Sequence, residues 1–200
     1  MNAAHDVRIV GGRFRRSKLP VAERPGLRPT PDRVRETLFN WLGQDLSGWR
    51  CLDAFAGSGA LGFEAASRGA ADVLLLEQDA ELVRSLQASR LRLQAEALRI
   101  ERVDAIAWMA AAPPGSFDLV LLDPPFDSDL AGRALPLALH LAAADGLVYL
   151  EARRPLPVPP DGWAIHRQGR AGAVHFHLLR RADDGYTPAH HGASVPRSTP

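Results

Sequence analysis

Hydrophobic and polar positions follow two different periods along most of the chain. From residue 50 onward, short apolar runs typical of buried strands alternate with longer segments whose apolar residues recur three and four positions apart, as in helices. The predicted strands are residues 50–55, 72–77, 98–103, 117–122 and 146–151. The predicted helices are residues 60–68, 79–97 and 128–144. This β-α alternation predicts an α/β fold of the Rossmann-like kind, with a mostly parallel sheet covered by helices on both faces.

The N-terminal segment has a different pattern. Two short alternating runs, VRIV and FRRSKL, flank Gly11 and Gly12, which predicts a small tight hairpin. A proline-rich stretch follows, and then an amphipathic helix that we expect Thr30 to cap. Its apolar stripe contains Val34, Leu38 and Leu42, and we expect Arg33 and Arg35 to lie away from that stripe.

The C-terminal segment also departs from the alternation. The runs GWAIHRQG and AVHFHLLR predict a terminal β-hairpin, joined near residues 170–172. Residues 182–200 have almost no apolar content, so we expect a disordered tail. The sequence therefore divides into a basic N-terminal extension (residues 1–42), a catalytic domain (residues 43–181) and the tail (residues 182–200).

Composition narrows the class of protein. The chain has 200 residues, of which 46% are hydrophobic and 24% charged, as expected for one globular domain with a small appendage. The N-terminus lacks the apolar run of a signal peptide, and no run of eighteen apolar residues occurs, so we expect a cytoplasmic protein with no membrane partner. The single cysteine, Cys51, excludes an internal disulfide and a cysteine-based zinc cluster. We interpret His190 and His191 as incidental and expect no metal site.

Charge is unevenly distributed. The net charge is only +1, but residues 1–39 contain nine Lys or Arg against four Asp or Glu. This local excess indicates either a solvated basic surface or a contact with nucleic-acid phosphates. The candidate RNA-binding residues are Arg8, Arg13, Arg15, Arg16, Lys18, Arg28, Arg33 and Arg35.

A glycine-rich loop follows the first strand of the alternating region. Its letters GSGALG match the dinucleotide fingerprint G-x-G-x-x-G, in which a diphosphate lies against the following helix. Asp53, four residues before Gly57, would repel a diphosphate but attract the ammonium of S-adenosylmethionine, unless it only caps backbone N–H groups of the loop. Glu77, at the end of the next strand, suits ribose hydroxyls of either cofactor.

A further acid follows the third strand. The side chain of Asp104 can accept a hydrogen bond from an adenine amine, and the N–H of Ala105 can donate to a ring nitrogen. An Asp directly after a strand is commonly a helix cap. A cofactor role for Asp104 is favoured only because it follows Asp53 and Glu77 at the ends of three successive strands. The predicted cofactor is S-adenosylmethionine, held by Asp53, Gly57, Gly59, Glu77, Asp104 and Ala105.

The run DLVLLDPPF ends a predicted strand with two prolines, which cannot continue the hydrogen bonding of the sheet. It therefore displays an aspartate, a proline carbonyl and an aromatic ring together at the carboxyl edge of the sheet. Asp123 and the Pro124 carbonyl can accept the two N–H groups of an exocyclic amine on a base, while Phe126 stacks on the ring. We assign Asp123, Pro124, Pro125 and Phe126 as the catalytic group.

These motifs resemble those of a known family. DPPF resembles the [D/N]-P-P-[F/Y] motif of class I methyltransferases that act on exocyclic amines. The stretches RIVGGRFRRSKLP, GLRPTPDRVRETLFNWL and CLDAFAGSGALGFEAASRGA are similar to the RsmD family of bacterial 16S ribosomal RNA guanine-N2 methyltransferases, over roughly residues 7–180. The resemblance implies that the target is guanine N2 in 16S rRNA, within an assembled small subunit or assembly intermediate. It also implies that Thr30 lies near the cofactor, and we expect a monomer.

Three alternatives stay open at this point. An adenine-N6 methyltransferase acting on RNA or DNA uses the same amine chemistry. A nicotinamide-dependent oxidoreductase explains GSGALG but leaves DPPF and the basic segment unexplained. A non-catalytic RNA-binding module with the same fold is the third.

Overall fold

The computed structural model describes residues 6–21, 32–126 and 129–182. Thr30 and Arg28, and the residues after 182, including His190 and His191, lie outside the described residues. The strands within these ranges are β1 (Asp6–Arg8), β2 (Lys18–Pro20), β3 (Arg50–Asp53), β4 (Asp72–Glu77), β5 (Leu98–Arg102), β6 (Phe117–Leu122), β7 (Ala142–Ala152), β8 (Trp163–Ala171) and β9 (Val174–Arg181). The helices of the same described residues are α1 (Asp32–Leu42), α2 (Ala60–Ser67), α3 (Ala80–Leu93), α4 (Ala105–Ala111) and α5 (Leu130–Leu141).

Seven of the strands form one mostly parallel sheet, which confirms the predicted fold class. The strand order is β5-β4-β3-β6-β7-β9-β8. Strands β3 to β7 are parallel, and the last two form the predicted antiparallel hairpin. The direction of winding reverses between β3 and β6, and ligands in such sheets bind beyond the carboxyl ends of the strands at this switch point.

Two hydrophobic clusters lie on the two faces of this sheet. One contains the β3 residue Cys51, together with buried residues of α1 and α2. The other contains the next β3 residue, Leu52, with residues of α4 and α5. The apolar stripe of α1 is buried as predicted, and Ile9, from the N-terminal segment, belongs to the first cluster. The N-terminal extension and the sheet therefore share one hydrophobic core. The boundary after residue 42 was drawn from the sequence pattern and does not separate two cores.

The N-terminal element differs from the tight hairpin that was predicted. Its strands pair only through three positions, from Asp6 opposite Pro20 to Arg8 opposite Lys18. Residues 9–17 form the connection, in which Gly12 and Arg16 have positive φ angles of 71° and 70°. The two glycines do not form the turn of a hairpin, because the loop folds against the end of α2 instead.

The remaining differences concern where elements begin and end. Helix α4 was not predicted, because the seven-residue segment is too short to show a clear helical period. Helix α3 ends at Leu93, earlier than expected, because Gln94 adopts the left-handed conformation that terminates it. Helix α5 spans Leu130–Leu141 rather than residues 128–144, since the chain already enters β7 at Ala142.

Candidate active site

Strand register brings the predicted acids to one edge of the sheet. Asp53, the last residue of β3, lies opposite Leu75 of β4 and Leu121 of β6. Two residues further along the same strands come Glu77 and Asp123. Because parallel strands end at the same edge, all three carboxylates lie around the switch point between β3 and β6.

The glycine loop turns sharply between β3 and α2. Gly57 and Gly59 have φ angles of 54° and 81°, a region that favours glycine. Gly62 has a different role, since a Cβ built there would lie 2.7 Å from a Leu75 methyl carbon and 3.1 Å from Oδ2 of Asp53. The third glycine of the motif therefore allows α2 to pack closely on the sheet, as in other nucleotide-binding turns.

Glu77 is tied directly to the glycine loop. Its Oε2 accepts a hydrogen bond from the N–H of Gly57 at 2.9 Å, and its Oε1 accepts one from the N–H of Asp79 at 2.9 Å. The side chain is half-buried, and each oxygen keeps a further lone pair. Glu77 thus fixes the loop and can still accept from a ligand hydroxyl.

Asp53 is almost completely buried, with 1% of its surface exposed. Its Oδ2 accepts from the N–H of Gly62 at 2.9 Å, so the capping interaction considered as an alternative is present. Its Oδ1 has no hydrogen bond of good geometry to any described residue, although the N–H of Phe55 lies near enough to favour the charged form. Burial raises the pKa of Asp53 to about 7, with smaller contributions from Asp123 and Glu77.

Asp104 stands at the N-terminus of α4. Its Oδ1 accepts from the N–H of Ala107 at 2.8 Å, so the side chain caps this helix. Asp104 is exposed, while Ala105 is buried. The exposed side chain therefore caps the helix through Oδ1 and keeps a second carboxylate oxygen that can accept a further hydrogen bond.

The DPPF segment leaves β6 directly beside Asp53. Asp123 and Phe126 are half-buried, Pro124 is buried and Pro125 is exposed. The negative charge of Asp123 contributes to raising the pKa of both Asp53 and Tyr149. An acid and an aromatic ring are therefore presented together at the edge, next to the glycine loop.

Two further polar residues were not predicted. Tyr149 of β7 is fully buried and donates a hydrogen bond to Oε1 of Glu151 at 2.8 Å. Burial, followed by the charge of Glu151, raises the pKa of Tyr149 well above its ordinary value, so the phenol stays a donor. The register of β6 with β7 continues Asp123 to a place opposite Glu151. The spacing Y-x-E, with both side chains on one face of an apolar strand, is the signal that could have revealed them.

The prediction that Arg35 binds RNA is wrong, because its side chain is fully buried. Its Nη2 donates to Oδ1 of Asp32 at 2.5 Å and to the carbonyl of Arg8 at 2.7 Å, and its Nη1 lies 3.7 Å from Oε2 of Glu64. Arg35 therefore has no exposed charge to offer a phosphate, and its position off the apolar stripe was also predicted wrongly.

Glu64 is the centre of a buried network that sequence reasoning missed. Its two oxygens accept the N–H groups of Val10 and Gly11, each at 2.8 Å. It also pairs with Arg68 at 2.9 Å, and Arg68 in turn contacts Gln44. A glutamate in the alanine-rich stretch GFEAAS of an otherwise apolar helix is the signal for such a buried charge.

The other predicted basic residues within the described chain are exposed: Arg8, Arg13, Arg15, Arg16, Lys18 and Arg33. Lys18 forms an ion pair with Asp6 at 3.1 Å. Arg13 is anchored through its backbone N–H, which donates to the carbonyl of Ser67 at 2.7 Å. Their role in RNA binding stays a prediction.

Residues 6–21, 32–126 and 129–182 contain no metal-binding cluster, no membrane-spanning helix and no reactive cysteine. In these ranges no group of three or more His, Cys, Asp or Glu side chains can hold a metal ion. No helix among the same residues is long and apolar enough to span a membrane. Cys51 is buried, and burial raises the pKa of its thiol to about 12, so it is a packing residue rather than a nucleophile.

The donor set fits S-adenosylmethionine better than a dinucleotide. The buried carboxylate of Asp53, with one oxygen lacking a good partner among the described residues, suits a cationic group and would repel a diphosphate. Hydride transfer does not require a DPPF segment, whereas methyl transfer to an exocyclic amine can use one to orient that amine. Fold and site together define a class I methyltransferase.

Comparison with known proteins identifies the family. The chain belongs to the family described as conserved hypothetical protein 95, whose model matches residues 7–180, and the resemblance to the RsmD family is confirmed. Ribosomal RNA small subunit methyltransferase D of Escherichia coli K12 is 41% identical over 92% of this chain and 94% of its own length. The protein of the same name from Haemophilus influenzae is 40% identical, over 90% and 96%.

Solved structures agree with this assignment. The Escherichia coli protein yhhF superposes with a TM-score of 0.78 at 41% identity, covering 88% of this chain and 98% of its own. TrmN from Thermus thermophilus superposes with a TM-score of 0.62 at 26% identity, covering 74% of this chain and 48% of its own. The nicotinamide-dependent oxidoreductase alternative is therefore not favoured.

Proposed function

We propose that this chain transfers a methyl group from S-adenosylmethionine to the exocyclic N2 amine of a guanine in 16S ribosomal RNA. The observation that carries the proposal is the DPPF segment beside the glycine loop, in a chain 41% identical to ribosomal RNA small subunit methyltransferase D over 92% of its length. The same observation disfavours a non-catalytic RNA-binding module, since the glycine loop for the cofactor and the DPPF segment for the acceptor amine are both present.

The residues that would hold S-adenosylmethionine surround the switch point. Asp53 would lie near the ammonium, Glu77 would accept from the ribose hydroxyls, and Asp104 with the N–H of Ala105 would meet the adenine. Thr30 stays a proposed contact outside the described residues. When bound, S-adenosylmethionine supplies a methyl group that is already activated on a sulfonium, so alignment accounts for much of the acceleration.

The acceptor is oriented by the DPPF segment. The carboxylate of Asp123 and the carbonyl of Pro124 accept the two N–H groups of the guanine amine, which points the nitrogen lone pair toward the cofactor side. Phe126 stacks on the base and contributes about 1–3 kcal/mol. That gain offsets much of the few kcal/mol needed to unstack the nucleotide from its RNA. The amine loses its proton during or after attack, so Asp123 need not be a strong base.

The substrate is an assembled small subunit or an assembly intermediate, and the enzyme acts as a cytoplasmic monomer. All the proposed site residues come from one chain, so a second copy is not needed to complete the site. The basic N-terminal residues offer few contacts to bases, which favours a particle whose shape contributes to recognition. Sedimentation of the purified protein tests the monomer, and parallel assays on naked 16S RNA and on subunits test the substrate.

The deciding experiment follows labelled methyl transfer into small subunits isolated from a strain that lacks this protein. Nucleoside analysis should show N2-methylguanosine, whereas N6-methyladenosine would establish the adenine-N6 alternative. The Asp123→Ala variant should lose methylation while its binding of S-adenosylmethionine, measured by calorimetry, stays nearly intact. Asp123→Asn is the matched control, since its amide oxygen can still accept one N–H and should retain part of the activity. Full activity of Asp123→Ala would refute the assignment of this residue.

A further inference from the structure

The segment that contains the C-terminal hairpin, residues 152–182, has the same net positive charge as residues 1–39 within a shorter stretch of chain. Residues 152–182 contain six arginines and one acid, Asp161. The arginines are Arg153, Arg154, Arg167, Arg170, Arg180 and Arg181. A surface with such an excess attracts polyanions, and its position on the fold decides what it can bind.

The register of the last three strands places part of this charge at the catalytic edge. Glu151 lies opposite Phe176, which lies opposite Gly169. The next row toward the carboxyl end of β7 consists of Ala152, His175 and Arg170. Since Leu122 is paired with Leu150, Asp123 continues into the Glu151 row, and Arg170 lies one row beyond it.

The other arginines at this edge flank that row. Arg153 and Arg154 directly follow Ala152, where β7 ends, and both are exposed. Because β7 ends one residue past the Glu151 row, Arg153 and Arg154 begin the loop that leaves the sheet at this edge. Arg167, opposite Leu178, is also exposed. We call Arg153, Arg154, Arg167 and Arg170 the edge arginines.

The N-terminal basic loop lies at the opposite end of helix α2. Gly59 caps the beginning of this helix at the catalytic edge, whereas the backbone N–H groups of Arg13 and Phe14 bond to Ser67 at its end. A helix of eight residues is about 12 Å long. The backbone of Arg13 and Phe14 is therefore separated from the catalytic edge by the length of α2.

We propose that the edge arginines bind backbone phosphates of the RNA that flank the target nucleotide. The side chains of Arg167 and Arg170 donate to the carbonyls of His166 and Gly172, and neither pairs with a carboxylate of the described residues. Guanidinium groups bind phosphate through paired N–H donors, and they contact the backbone without reading sequence. Held on both sides, the strand can present one unstacked base to Asp123 and Phe126. This inference rests on the proposed function, since it assumes an RNA substrate.

The test compares two double variants with a matched control. Arg153→Gln with Arg154→Gln and Arg167→Gln with Arg170→Gln each remove two charges at the catalytic edge. The control, Arg50→Gln with Arg99→Gln, removes two exposed charges at the amino edge of the same sheet, where these residues pair with Asp118 and Asp72. Binding to naked 16S RNA and to small subunits is measured between 50 and 200 mM salt.

Each lost phosphate contact should reduce the slope of log affinity against log salt by about 0.7–0.9. When salt rises fourfold, the factor by which RNA affinity falls should therefore be about ten times smaller for each edge double variant than for the unmodified protein. The control should show the same fall as the unmodified protein. Equal slopes for the edge variants and the control would overturn the inference. If the edge variants bind small subunits more weakly but bind naked RNA normally, the inference is also overturned, because the surface would then contact an acidic ribosomal protein.

Failure of the proposed function has a different signature. Calorimetry with S-adenosylmethionine should give the same affinity for every variant, since the edge arginines do not line the cofactor site. If the unmodified protein forms no N2-methylguanosine but the salt slopes still fall in the edge variants, the proposed reaction is wrong and the RNA surface stands. If it methylates normally and the slopes do not change, only the surface is wrong.

Discussion

The buried network around Glu64 gives the sharpest prediction about stability. Glu64→Gln keeps the size of the side chain but removes the only fully buried negative charge that contacts both Arg35 and Arg68 among the described residues. The amide also replaces one acceptor with a donor, which faces the N–H of Val10 or Gly11. The substitution therefore leaves the buried guanidinium of Arg68 without its carboxylate partner, while Arg35 keeps its ion pair with Asp32. It also leaves a backbone donor without an acceptor.

Breaking a buried ion pair from one side costs about 3–5 kcal/mol, a large part of the 5–15 kcal/mol that stabilises a typical domain. With a urea slope of about 2 kcal/mol per molar, the unfolding midpoint should fall by about 1.5–2.5 M. The matched control is Glu81→Gln on α3, whose pair with Arg84 is 3.9 Å long and exposed, and which should cost less than about 1 kcal/mol.

Urea unfolding followed by circular dichroism measures both variants. A midpoint shift for Glu64→Gln no larger than that for Glu81→Gln would refute the reasoning. The electrostatic origin is tested by adding Arg68→Met to Glu64→Gln, which removes the guanidinium charge that has lost its partner and should recover part of the loss. If the double variant is as unstable as the sum of the single variants, the cost comes from lost packing rather than charge.

Three other predictions follow from the site. Because the pKa of Asp53 rises from 3.8 to about 7 on folding, the native state binds a proton that the unfolded state has lost between these pH values, and stability falls as pH rises through this window. Without ligand, the Asp53→Asn variant should therefore be more stable than the unmodified protein at pH 8, by up to about 4 kcal/mol, and only slightly more stable at pH 4. Urea unfolding measures both differences, and equal gains at the two pH values would contradict this prediction. Gly62→Ala should lose about 1–3 kcal/mol by pushing α2 from Leu75, while Gly132→Ala, on the open side of α5, should be neutral or stabilising in the same assay. Phe126→Ala should raise KM and lower kcat for RNA, whereas Phe126→Tyr should keep both, and unchanged kinetics in Phe126→Ala would exclude stacking.

Local chemistry explains why much of the site was predictable. A glycine turn, an acid at a strand end and two prolines after a strand each depend on residues close together in sequence. The α/β alternation then implies that the strand ends meet at one edge, so Asp53, Glu77 and Asp123 could be placed together before the structure was known. The position of the DPPF segment after β6 was predicted from the same rule.

What the sequence could not predict depends on contacts between distant segments. Arg35 looked like a surface residue because its charge was judged on α1 alone. Its burial is tolerated because Asp32 of α1 is joined around the guanidinium by the Arg8 carbonyl and by Glu64 of α2. Gly11 and Gly12 looked like a hairpin turn, but a Cβ at Gly12 would lie 1.8 Å from the carbonyl oxygen of Ser67, so the glycine is needed where the loop meets α2.

The sequence by itself determined the class of fold, the order of the elements and the chemistry of the glycine loop and DPPF, since these follow from periodicity and from residue types at short spacing. Only the tertiary structure decided which charges are buried and which face solvent. It also decided that the basic N-terminal loop and the edge arginines lie at opposite edges of the sheet. The physical reason is that burial and pairing of a charge are set by neighbours from other elements, which no local pattern contains.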